Sequence, residues 1–171
     1  SYKVYNDGRK EEKSKKKKST NIDSTNYKAT TDDLKEEALT MRSSNRSTYN
    51  EMLSYVNKYR SEVNVSLLSM DDDLNLAATI RAIEMAYSKK FSHFRPDGNM
   101  CYSVIGDLDI SARSLGENIA YGQKTAAAVS EVWKNSTSGH YENMVNTMFT
   151  RVGFGKFTLN GKTYWVQMFA G

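Results

Sequence analysis

Apolar residues along this chain fall into blocks of different period, and each period predicts an element. In residues 47–63, STYNEMLSYVNKYRSEV, the positions Met52, Val56, Tyr59 and Val63 recur at helical spacing behind a Ser/Thr opening. That spacing lines one face of an amphipathic helix. Residues 73–91, DLNLAATIRAIEMAYSKKF, gather Leu74, Ala77, Ala78, Ile83, Ala86 and Tyr87 mostly on one side, which predicts a second helix. It is expected to stop before FSHFRPDGN (91–99), because Pro96 disfavours helix at Arg95 and Asp97-Gly98 is turn chemistry. TAAAVSEVWKNS (125–136) predicts a third helix with Thr125 as N-cap, and TSGHYENMVN (137–146) a turn leading to a short helix capped by Ser138. RVGFGKFTL and KTYWVQMF are aromatic and β-branched runs around Asn160-Gly161, a hairpin signal. Residues 99–115 carry no clear period.

The amino-terminal quarter is different. RKEEKSKKKKSTNIDSTN (9–26) has Ile22 as its only strong hydrophobe and cannot bury enough surface to offset its ordering entropy. Residues 1–46 are therefore expected to be a charged, largely flexible tail or linker, with residues 47–171 as the folded domain. Within the tail, TDDLKEEALTM (31–41) is compatible with a short helix, with Thr31 or Asp32 as N-cap. KSKKKK reads as a solvated linker rather than a site for anionic polymers or membranes, because Glu11 and Glu12 interrupt it. The tail is expected to join the domain to an envelope anchor or another domain upstream.

Charge sharpens this division. The net charge is +4; residues 1–46 hold 12 Lys+Arg against 8 Asp+Glu, and residues 47–171 hold 12 of each. A neutral body argues against nucleic-acid binding, which concentrates positive charge on a folded face. One cysteine, Cys101, excludes an intrachain disulfide and a thiolate metal cluster, and reads as a small buried hydrophobe. No apolar run approaches the ~20 residues of a membrane span.

Chemistry has few candidates. The sequence holds no HExxH, GxSxG, Walker loop or dinucleotide fingerprint, and GFG (153–155) lies inside a strand-like run. The two histidines are His93, in FSHFRPDGN, and His140, in TSGHY; Glu117 lies in GENIAYG between them. Each has a bland role open to it: His93 as a helix-end residue bonding the turn at Arg95-Pro96, His140 as a cap, Glu117 as an acceptor for loop amides. Trp133, on an alanine-rich helix with Val129 and Val132, reads as core.

FSHFRPDGN, then GENIAYG, then VSEVWKNSTSGHYENMVN, then RVGFGKF and YWVQMF, resembles the CAP superfamily. That family includes cysteine-rich secretory proteins, insect antigen-5 proteins, plant pathogenesis-related proteins and bacterial SCP-like extracellular proteins. YRSEVNVSLLSMDDDLNLAATIRAIEMA resembles its first two helices, so the likeness covers residues 47–171. It implies an α+β fold, a three-layer α-β-α sandwich with a small antiparallel sheet between helices. It also implies a cleft of two histidines and two acidic residues, which in some relatives hold a divalent metal such as zinc. His93 matches the first histidine, Glu117 the glutamate of GEN and His140 the histidine of GHY. The second acid, three positions after the tryptophan, is here Ser136, as in many bacterial members. The lack of disulfides also favours a bacterial member.

On this resemblance the expected cleft is His93, Glu117, Ser136 and His140, with Asn118 and Tyr141 on its wall. Two imidazoles and one carboxylate can fill three of zinc's four positions, with Ser136 or a backbone carbonyl bonded to the other nitrogen of a ligating histidine. Without the second carboxylate, weaker metal binding is expected. The preferred reading is an extracellular or cell-surface binding module toward a host, cell-wall, lipid or glycan ligand, with no nucleic acid, no transmembrane segment and its oligomeric state open. A hydrolase using Ser136 or Ser138 with His140 and Glu117, or a zinc-bound water, is one alternative. A structural spacer with a vestigial cleft is another.

Overall fold

The computed structural model of the chain describes residues 2–5 and 27–171, so the expectation of a solvated basic linker at KSKKKK lies outside the described residues. A five-stranded sheet of order β1-β3-β5-β4-β2 runs through the molecule. Its strands are β1 (Tyr2–Tyr5), β2 (Ser69–Met70), β3 (Leu115–Tyr121), β4 (Arg151–Leu159) and β5 (Lys162–Ala170). The helices are α1 (Thr31–Ser44), α2 (Arg46–Glu62), α3 (Asp72–Ser88), α4 (Ser103–Asp107), α5 (Ala126–Lys134) and α6 (His140–Met144). The sheet is mixed rather than wholly antiparallel: β3, β5 and β4 alternate in direction, whereas β1 runs parallel to β3 and β2 parallel to β4.

Period-2 alternation along β5 feeds two cores. Tyr164, Val166, Met168 and Ala170 pack with α3 and α1 residues such as Leu34, Leu74, Ile80 and Ile83. Trp165 and Phe169 face the other way, onto Tyr49, Met52 and Val56 of α2 and Val129 and Trp133 of α5. This is the α-β-α sandwich. Trp133 is core, as its neighbours suggested, and its indole N–H donates to the Ile119 carbonyl at 3.3 Å.

α3 is buried on nearly every side from Leu74 to Ala86 rather than along one stripe. It lies directly on β4. A Cβ on Gly153 would overlap the Leu74 carbonyl and one on Gly155 the Ala78 carbonyl, so glycine is what permits this approach. The Asp71 side chain caps α3, accepting from Asp73 and Leu74 amides, and Lys89 in the left-handed region ends it.

Several ends fall elsewhere than the pattern implied. Val63 lies past α2 and is 44% exposed. α1 is capped by Thr30, whose hydroxyl accepts the Asp33 amide while the Asp33 carboxylate accepts the Thr30 amide. α6 is capped by Gly139 at φ 100°, not by Ser138. α4 arises in the stretch that had no period. The division at 46/47 does not coincide with the edge of the packed body: α1 lies before it, and its Leu34 and Ala38 are buried in the α3 core.

Candidate functional site

Adjacent residues of β3 reach opposite faces of the sheet, and this builds both halves of the site. Glu117, paired in register with Met168, faces α3; Asn118, paired with Gln167, faces α6. Both are fully buried.

On the α3 side, the loop after Lys89 is closed by a bridge between Phe94 and Met100 and by the Cys101 amide donating to the His93 carbonyl at 2.8 Å. It presents His93, whose Nδ1 lies 2.8 Å from Glu117 Oε1. Arg81 of α3 grips the same carboxylate: its Nε donates to Oε2 at 2.8 Å and Nη2 to Oε1 at 3.1 Å. Arg81 also donates to Glu84 at 2.7 Å and to the Ser92 carbonyl at 2.6 Å. Glu84 accepts from Arg95 Nε, and Arg95 continues to Asp107 at 2.9 Å and to the Thr31 hydroxyl at 2.9 Å. The result is a row of alternating charges, Glu117, Arg81, Glu84, Arg95, Asp107, leading from His93 to the start of α1. Burial alone would raise the Glu117 carboxyl, but the Arg81 guanidinium and the bonds from His93 and Arg81 outweigh it and hold it down to about 2. Nδ1 of His93 therefore donates to an ionised carboxylate, and in the neutral form of the ring this places the lone pair on Nε2.

On the α6 side, His140 is wholly buried at the first position of its helix. Its Nδ1 lies 2.7 Å from Ser136 Oγ, which also accepts the Ser138 amide at 3.0 Å. Asn118 braces the helix, its amide donating to the His140 carbonyl and to Gln167 Oε1, both at 3.0 Å, and its oxygen accepting from Asn143 at 3.1 Å. Arg60, also buried, donates to the Met144, Asn146 and Phe149 carbonyls and pins the far end of α6. Burial, and then the proximity of His93, lower the His140 imidazole to about 4, so it is neutral at pH 7.

The two halves meet electrostatically, and each leaves one atom over. Nε2 of His93 and Nε2 of His140 are buried with no hydrogen-bond partner among the described residues. An imidazole nitrogen whose lone pair is free while its Nδ1 is engaged is a donor suited to zinc or a similar borderline cation, and each of the two rings has its Nδ1 engaged. The Ser136 hydroxyl can donate or accept, so a cation at Nε2 would select the Nδ1–H form of His140.

Glu117 is placed differently from the third ligand expected of it. Both of its oxygens accept from Arg81, and Oε1 also lies against His93 Nδ1, so a cation at Glu117 would compete with these bonds. The ligand-capable atoms of His93, Cys101 and Glu117 lie within 4.8 Å of one another. Burial, and next the Glu117 charge, push the Cys101 thiol up, so it stays protonated. That makes Cys101 a poor ligand at neutral pH.

The Ser–His–Glu relay considered above is not assembled. Ser136 meets His140, but Glu117 bonds His93 instead. Asn118, expected on the wall, is a buried brace; Tyr141 is half-buried against the α2 core. Sequence reasoning passed over Arg81, Glu84 and Arg95. The signal for the first two was present: an Arg and a Glu three apart inside the apolar block of α3, where nothing but pairing makes charge tolerable.

Comparison with known proteins identifies the family and the fold. Residues 53–169 match the family model for CAP, the cysteine-rich secretory protein family; the match begins within α2 and leaves out β1 and α1. The uncharacterized protein YkwD of Bacillus subtilis (strain 168) is 31% identical over 121 residues, 71% of this chain and 46% of that protein. A solved extracellular protein containing an SCP domain from Bacillus anthracis str. Ames superposes with a TM-score of 0.67 at 26% identity, over 73% of this chain and 40% of its own. The chain thus spans less than half the length of both these relatives. An outer surface protein from Borrelia burgdorferi shares the fold, with a TM-score of 0.65 at 24% identity over 71% of this chain and 90% of its own. The chain belongs to the CAP, or cysteine-rich secretory protein, family.

Proposed function

We propose that this chain is an extracellular or cell-surface binding module of bacterial SCP-like type, in which Nε2 of His93 and Nε2 of His140 hold a divalent cation such as zinc. The observation that carries the reading is the pair of buried, unpartnered Nε2 atoms. Glu117 and Ser136 act by fixing the two rings at Nδ1, and Arg81 keeps Glu117 ionised. When bound, the cation supplies a Lewis-acidic point with positions open to an oxygen donor of the ligand. Neutral His140 needs no deprotonation to take part at pH 7, which favours loading at neutral pH and loss of the cation in acid. The surface location follows the description of the B. anthracis and Borrelia neighbours as extracellular and outer-surface proteins. No helix among the described residues is long and apolar enough to cross a membrane. The ligand is a host, cell-wall, lipid or glycan molecule. The serine form of the hydrolase alternative gains nothing here, because Ser136 meets His140 while Glu117 bonds His93.

Calorimetric titration of zinc into metal-stripped protein at pH 7, beside the His93→Ala/His140→Ala double variant, tests the reading. Saturable one-to-one binding, lost in the double variant, is expected. Absence of binding by the parent protein would sink the metal reading and leave the spacer with a vestigial site.

A further inference from the structure

Three segments far apart in sequence come together at the β4–β5 turn. Gly153 lies against Leu74 and Gly155 against Ala78, so α3 and β4 advance side by side. Tyr87 meets Phe157 with ring centroids 5.4 Å apart, and Lys89 and Lys90, just past α3, arrive beside the turn. β3 ends there too: Tyr121 pairs with Tyr164, and the Gly122 amide donates to the Thr163 carbonyl at 2.9 Å. Phe91 meets Tyr121 edge-on at 4.7 Å, which joins the first segment to the second. Residues 87–91, 119–124 and 156–165 hold five lysines, Lys89, Lys90, Lys124, Lys156 and Lys162, and no aspartate, glutamate or arginine. Among the described residues none of the five is ion-paired with a carboxylate. Glu37 does touch this end, where it accepts the Tyr87 hydroxyl at 2.8 Å. The balance of 12 Lys+Arg and 12 Asp+Glu over residues 47–171 therefore conceals a separation of charge.

We propose that this lysine-lined end is the docking surface for a linear phosphodiester polymer whose sugar or polyol units carry no nucleobases. The proposal rests on the reading of the chain as a surface binding module, but not on the cation at the histidines. Two of the lysines are held in place rather than swinging free. Lys162 Nζ lies 3.9 Å from the Tyr121 ring centre and 5.3 Å from that of Tyr164, and Lys156 Nζ 5.3 Å from that of Trp165. The Trp165 indole N–H donates to the Gln123 carbonyl at 2.9 Å and fixes the chain that leads to Lys124. Ammonium groups positioned over aromatic faces lose less freedom when an anion arrives. The choice of phosphate follows from the side chains present. An ammonium is a point charge that suits phosphate oxygens, whereas planar two-point recognition of carboxylates favours the arginine fork, which these segments lack. A bilayer fits poorly, because the six large apolar side chains that stand exposed all lie outside these segments and none can wedge between lipids here. Nucleic acid fits poorly as well. Tyr164 and Trp165 are buried, and Tyr121 is engaged by Phe91 and Lys162, so no ring is offered for bases to stack on.

The test is fluorescence anisotropy of end-labelled poly(glycerol phosphate) titrated with the full chain. A chelator is present throughout, so the outcome does not depend on His93 and His140, and zinc titration remains a separate test of those residues. The parent is compared with Lys89→Gln/Lys90→Gln/Lys162→Gln and with Lys28→Gln/Lys35→Gln/Lys58→Gln, which removes the same charge from elsewhere on the surface. All six lysines are exposed, and unchanged melting temperatures show that both variants are folded. The parent is expected to bind saturably, with affinity falling steeply as salt rises from about 50 to 200 mM. The first variant should weaken binding at least about tenfold and the second less than about threefold. No binding by the parent, or equal weakening in the two variants, overturns the proposal. So does a loss of binding in a chain with Lys15, Lys16, Lys17 and Lys18 replaced by Gln while the first variant binds as the parent does, since the amino-terminal run would then be the site. Tighter binding to phosphatidylglycerol vesicles than to the polymer would assign the surface to a membrane instead. Single-stranded DNA of equal charge bound as tightly as the polymer would remove the selectivity on which the proposal depends.

Discussion

Glu117 shows how a carboxylate is kept charged in a fully buried place. Alone it would take up a proton on burial; with Arg81 at two atoms and His93 at a third it does not. Pairs of this kind need not add net stability, but removing one partner strands the other. Arg81→Met is therefore expected to cost about 3–5 kcal/mol, read as a fall in the urea midpoint, with Arg81→Lys recovering part of it. The pH dependence has a defined sign in metal-free protein. The unfolded His140 takes up a proton near its ordinary 6.5 and the native one only near 4, so stability falls as pH drops through that window. Glu117, at about 2 against an ordinary 4.5, contributes stability that is complete above 4.5 and lost as pH falls toward 2. Urea midpoints from pH 7 to 3 should decline throughout. In His140→Phe the decline between 6.5 and about 4 should be reduced; an undiminished slope would mean another group titrates there.

The elements differ in how openly they were written. The hairpin of β4 and β5 turns on Asn160 at φ 50° and Gly161 at φ 76°, the left-handed pair that an Asn-Gly signal implies. α2 and α5 carry one apolar stripe each and were legible from it. α3 was legible as a helix but not as a helix buried on nearly every side, because Arg81 and Glu84 within it look like solvent-facing residues until Glu117 and Arg95 are brought to them. The GFG of β4 was correctly set aside as a phosphate loop, yet its packing role was invisible, since the contact it allows is with α3, far away in sequence. Gly155→Ala should overlap the Ala78 carbonyl and push α3 off the sheet, costing on the order of 1–3 kcal/mol or more. The check is the thermal midpoint by circular dichroism. A change within experimental error would mean α3 and β4 can part without loss.

At the scale of the molecule, the salient feature is that the folded body reaches further toward the amino terminus than the charge boundary suggested. α1 is polar enough to read as tail, with only Leu34 and Ala38 fully buried in the core among its apolar residues, but Thr31 and the Asp107–Arg95 pair lock its start to the buried charge row. If α1 belongs to one cooperative unit, Leu34→Ala should lower the urea midpoint reported by Trp133 and Trp165, which sit on the far side of the sheet, by the equivalent of about 2–3 kcal/mol. Loss of helix signal with no shift in the tryptophan transition would make α1 an appendage.

The sequence by itself determined what depends on neighbours a few residues apart: the amphipathic helices, the Asn-Gly hairpin, the stop before Pro96, and, through motifs in order, the family. It also brought His93, Glu117, Ser136 and His140 forward together. Their division of labour was decided only in three dimensions. Which atom of His93 is left free, whether Glu117 serves a cation or a histidine, and that Arg81 sits beside it all depend on contacts between groups 24 to 36 residues apart, whereas His140 Nδ1 meets Ser136 only four residues away. A buried charge is set by whichever partner the fold delivers to it, and local spacing carries no record of that partner.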